Sequence, residues 1–75
     1  MSARKRRLAP SDVRGALMEW AGRLETQELS LAIMAELVDG DDKHVLKQAA
    51  DKTASLAREA CAMIDAYIAK LEHNP

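Results

Sequence analysis

The nine residues "VDGDDKHVL", Val38–Leu46, decide how this chain folds, because they separate two long segments of helical periodicity. Gly40 can take the left-handed conformation needed just past a helix end. Asp41 or Asp42 can then cap the helix that follows. The same acids superficially resemble a calcium-binding loop. Counted from Asp39, however, position 5 would be Lys43 and position 12 Ala50, which fails the ligand pattern. A helix stop followed by a helix start is the simpler reading.

Working outward, Ser11 is a good N-cap, since its hydroxyl can accept from a free N–H of the first turn. Asp12 then suits the positive end of the helix dipole. The first helix is expected from about residue 12 to 38 and the second from about 42 to 72, with Asn74 and Pro75 beyond it. Their lengths are about 40 and 45 Å at the standard rise. A link of a few residues between two such helices forces an antiparallel hairpin. No segment carries a strand signal, so the expected fold is all-α. Residues 1–10 read as a basic flexible arm and residues 11–75 as a single helical-hairpin domain.

Along the first helix, Val13, Leu17, Trp20, Leu24, Gln27, Leu31, Met34 and Val38 form a seam with alternating spacings of three and four. Its defect is the amide of Gln27. If the chain reverses at Gly40, facing residues have numbers summing to roughly 80–81, given the antiparallel geometry. Trp20 then faces Ala57 and Ala60, Leu24 meets Ala57, and Leu17 meets Ile64. Gln27 lands opposite Thr53, and a buried amide with a hydroxyl partner would fix the register, because any slip leaves both groups unsatisfied. A ligand-binding role for Gln27 and Thr53 is the competing interpretation.

The first helix also carries a second stripe, Gly15, Met18, Gly22, Leu29, Ile33 and Leu37, which one hairpin cannot bury. Each mid-helix glycine costs about 0.8–1 kcal/mol relative to alanine. Gly15 and Gly22 either admit the close approach of a partner backbone or are tolerated on a solvated surface. The second helix is apolar over a wide arc, with Leu46, Ala49, Ala50, Thr53, Leu56, Ala57, Ala60, Met63, Ile64, Tyr67 and Leu71. Ala54, Cys61 and Ile68 extend that arc, while Asp51, Arg58, Asp65 and Glu72 mark a charged outer face. Two two-faced helices predict a homodimer in which two hairpins pair into a four-helix bundle. A monomeric hairpin with untidy surface hydrophobics is the plainer alternative.

Composition agrees. A chain of 75 residues without Phe and with one Trp and one Tyr must build its core from aliphatic side chains and alanine. A single core of this size rarely contributes more than about 3–5 kcal/mol net. Cys61 is alone, so it forms no internal disulfide, and it reads as a small buried hydrophobe rather than a reactive thiol. His44 and His73 lie far apart and read as exposed, so no metal cluster is expected. No catalytic arrangement of Ser, His, Asp or Cys stands out, and neither an enzyme activity nor a cofactor is expected. No segment has the apolar length of a membrane span, and the basic start is not followed by a secretory apolar run. The expected setting is cytoplasmic.

The net charge of −1 hides an asymmetry. Arg4, Lys5, Arg6 and Arg7 hold four of the eleven positive charges, leaving seven against twelve acids in residues 8–75. The arm is a candidate contact for nucleic-acid phosphates or for an acidic protein surface. The acidic body argues against duplex recognition, since neither helix offers a continuous basic stripe. Over residues 12–72 the layout resembles, in architecture alone, the helical hairpin of the Rop type of plasmid copy-control RNA-binding protein. No motif is shared, so the resemblance implies a fold and carries no residue or function across. The expected role is therefore a non-enzymatic protein–protein interaction module, a dimeric accessory regulator that binds another, unidentified protein. The alternative is a regulator that binds RNA or DNA through the arm.

Overall fold

The computed structural model describes residues 8–73, and over them the chain is two α-helices joined in a hairpin. Helix α1 runs Pro10–Glu36 and α2 runs Asp41–His73. Helix α1 starts earlier than Ser11 would have capped it. Ala9 is its N-cap and Pro10 occupies the first helical position, where a missing N–H costs nothing and φ is already set for a helix. Asp12 does the polar work: its Oδ2 accepts from the Ala9 N–H at 3.1 Å. Helix α1 thus takes in Pro10, and Arg4, Lys5, Arg6 and Arg7 lie outside the described residues.

At the other end, the Leu37 N–H donates to Met34 O at 3.0 Å and closes the last turn. Gly40 has φ +69°, the only positive φ among the described residues. It stands four residues beyond the helix end, next to Asp41, and its carbonyl accepts the His44 N–H at 3.2 Å. Gly40 therefore starts α2 rather than capping α1. Asp41 and Asp42 fill the first turn of α2, where carboxylates meet the positive end of the dipole. Lys43 Nζ approaches Glu36 Oε2 at 4.0 Å across the turn.

Residues expected to face one another across the hairpin do gather in one core. Leu24, Ala57, Ala60 and Ile64 share one packed cluster with Ala21, against which Leu17, Trp20 and Ile68 rest. The second row of the seam holds only in its first half, where Val13 and Trp20 are half-buried and Trp20 rests on the core. The residues that accompany Leu17, Leu24, Leu31 and Val38 are Ala21, Glu28 and Ala35, while Gln27 and Met34 are exposed and Trp20 is half-buried. The helix is rotated by part of a turn from the orientation that hydropathy favours. Alanines explain the rotation. Ala21 and Ala35 on α1, with Ala50, Ala57 and Ala60 on α2, are all buried, so the backbones can approach toward the lower end of the usual 8–10 Å range. Turning Trp20, Gln27 and Met34 inward would force the helices apart and bury an amide.

The polar layer expected from Gln27 and Thr53 is accordingly not formed within the hairpin. Gln27 is exposed, and the Thr53 hydroxyl donates to Ala49 O at 2.8 Å within its own helix. The buried core holds no polar residue at all: it is Ala21, Leu24, Ala35, Ala50, Ala57, Ala60 and Ile64. Among the described residues, no helix is long and apolar enough to cross a membrane.

Candidate functional site

The second stripe lies where a partner could reach it. Gly15, Met18, Gly22, Leu29, Ile33 and Leu37 are all exposed, with Leu29 at 62% and Leu37 at 78%. They wind around the side of α1 turned away from α2. A Cβ added at Gly15 or at Gly22 would meet no atom within 4 Å, so neither glycine serves helix packing inside the hairpin. Thr26, one turn on, donates its hydroxyl to Gly22 O at 3.0 Å. The amino-terminal part of the same outer surface is charged instead, with Glu19 and Arg23 paired at 2.6 Å.

The two broad sides of the hairpin differ sharply. On one side, Glu25 and Glu28 share a groove of about 350 Å³ with Ala54, Ala57, Cys61 and Asp65. Arg58 lines it too and reaches Ser55 Oγ at 3.4 Å. Cys61 is exposed there rather than buried, because its row flanks the seam of α2 and the groove leaves it uncovered. The carboxylates form no metal cradle: among the described residues, no three His, Cys, Asp or Glu are grouped to hold an ion. His44 and His73 are exposed.

Since Glu25 faces Ala54 and Cys61, the opposite flanks must meet on the other side. There α1 presents Val13, Trp20, Gln27 and Met34, and α2 presents Ala49, Leu56 and Met63. None of these is charged. Gln27 and Met34, with Ser30 and Leu31, line a second concavity of about 280 Å³. Met34, Leu56 and Met63 are exposed large hydrophobics, although the seam and the broad arc of α2 predicted them inside. The clue available in the sequence was alanine: Ala21 and Ala35 sit beside the bulkier row at the same spacing, and small residues mark where helices come closest.

The site is thus a set of surfaces suited to apolar contact, with ion pairing at its edges. No known family, curated protein or solved structure matches the chain.

Proposed function

We propose that this chain is a small non-enzymatic interaction module, a dimeric helical accessory regulator that binds and modulates another protein. One observation supports the reading above the rest. Of the seven buried residues, five are alanine and only Leu24 and Ile64 are large. Nine large hydrophobics stay exposed: Leu8, Met18, Leu29, Ile33, Met34, Leu37, Val45, Leu56 and Met63. Burying a side chain of that size is worth about 1.5–3 kcal/mol, and the hairpin leaves these nine largely uncovered. Association would cover them. Two hairpins forming a four-helix bundle supply one partner, and the Gly15, Met18, Gly22, Leu29, Ile33, Leu37 stripe is available to a second protein. A reducing cytoplasmic setting suits a chain whose lone Cys61 forms no internal disulfide.

Light scattering at micromolar concentration tests the first half. The expected species has twice the 8.2 kDa chain mass, and a clean monomer refutes the dimer. Affinity capture tests the second half: wild type retains a protein that an Ile33→Glu, Leu37→Glu variant loses. The basic sequence Arg4, Lys5, Arg6, Arg7 supports a second reading, binding of RNA or DNA. Deleting residues 1–9 separates the two, since nucleic-acid binding should collapse while a complex through the stripe survives.

A further inference from the structure

We infer that the broad side of the hairpin bearing Trp20, Gln27, Met34, Leu56 and Met63 is the face that receives a second copy of this chain. The inference rests on the dimer reading above and adds to it which surface pairs and which stays free. Three observations converge on that side.

The first is charge. The row Val13, Trp20, Gln27, Met34 on α1 and the row Ala49, Leu56, Met63 on α2 carry no ionised group; Arg23, Lys52 and Glu59 border them on the outside, and Lys70 continues the second row. The opposite side has Glu25, Glu28, Arg58 and Asp65 in its groove. About a two-fold axis a charge meets its own copy only near the axis, so a self-pairing surface needs an uncharged strip there. The first side has such a strip beside the seam, whereas the groove has Glu25 and Glu28 there.

The second is continuity with the seam. Leu17, Leu31, Leu46 and Tyr67 are only half-buried by the partner helix, and the apolar surface runs from them straight onto Met34, Leu56 and Met63. Two helices of this length lying about 10 Å apart offer roughly 800 Å² per copy, the size of a standard stable interface. A core built mostly of alanine gains from such cover whenever the chain is folded, and a second copy is present wherever the chain is.

The third is Gln27. It is exposed in one hairpin, and the Thr53 hydroxyl spends its proton on Ala49 O and keeps lone pairs for another donor. In the pair of hairpins the amide of one copy can donate to Thr53 of the partner subunit. The polar layer absent within the chain then forms between chains, where it fixes alignment.

Sedimentation equilibrium, helicity and the emission of Trp20, the only tryptophan, test this on the full chain. Raising the concentration through the dissociation constant should blue-shift Trp20 emission, as its open edge is covered. Leu56→Glu with Met63→Glu should raise the dimer dissociation constant by roughly 100-fold or more. Leu29→Glu with Ile33→Glu should leave it within about threefold. If the acidic pair at 56 and 63 also unfolds the helices, Gln27→Lys decides, because that side chain makes no core contact in the hairpin. A weaker dimer at unchanged helicity supports the assignment, and an unchanged dimer overturns it. A dimer broken at Leu29 and Ile33 but intact at Leu56 and Met63 overturns the face while sparing the dimer. A monomeric wild type instead removes the reading on which both stand.

Discussion

The two helices solve the same packing problem differently. Helix α2 gathers its apolar residues on one arc, with Asp51, Arg58 and Asp65 behind it, so one neighbour and a flank satisfy it. In its last turns α1 is apolar on several sides: Leu31 and Ala35 face α2, Met34 and Leu37 lie to one side, and Leu29 and Ile33 lie opposite the seam. A helix with that pattern expects neighbours on more than one side. The contrast locates the unfinished part of the molecule on α1, toward the turn.

The sharpest way to break the contrast is to truncate two leucines five residues apart on that helix. Leu24 is 9% exposed, and Leu24→Ala should cost about 2–5 kcal/mol in chemical denaturation. Leu29→Ala should cost less than about 0.5 kcal/mol. Equal losses would mean that a second chain covers Leu29 in the folded state. Next comes the alanine seam itself. Ala60 is fully buried, and Ala60→Leu should destabilise by about 1–3 kcal/mol through overpacking. A neutral outcome would show that the helices are not held at close range.

Glycines sharpen the comparison from the opposite sign. Gly22→Ala should stabilise the isolated hairpin by about 0.8–1 kcal/mol, since it improves helix propensity and meets open space. If a partner backbone lies against Gly22, the same change weakens association, and thermal melts read with and without partner separate the two effects. Gly40→Ala should destabilise by about 1 kcal/mol, because its φ of +69° disfavours a Cβ. The smallest effect belongs to the outer surface near the amino terminus. Arg23→Ala removes an exposed i,i+4 pair and should change the midpoint by no more than about 0.5 kcal/mol.

The hairpin and its ends to within a few residues were legible because they follow from local signals. Gly40, the two aspartates after it and the seven-residue recurrence of Leu17, Leu24, Leu31 and Val38 fix them. The rotation of α1 was not legible by the same means. Two adjacent rows, Trp20 with Gln27 and Met34, and Ala21 with Glu28 and Ala35, fit the spacing equally. Hydropathy prefers the larger side chains, whereas backbone approach prefers the smaller. Alanine contributes by permitting contact rather than by its own transfer energy, so a scale of apolarity undervalues it. Cys61 was misjudged for a related reason: its neighbours Ala54 and Ile68 look like core, but their row borders an open groove.

The four-residue link at Leu37–Gly40 also sets the order in which the structure can assemble. Beside the turn, Glu36 and Lys43 are only seven positions apart in the chain. At the far end, Leu17 and Ile64 in their common cluster are separated by nearly the whole hairpin. Loop-closure entropy rises with that separation, so contacts form at least cost beside Gly40 and extend away from it like a zipper. Folding should therefore be fast, and amide exchange should show the open end, where Val13 and Leu71 sit, released before the turn.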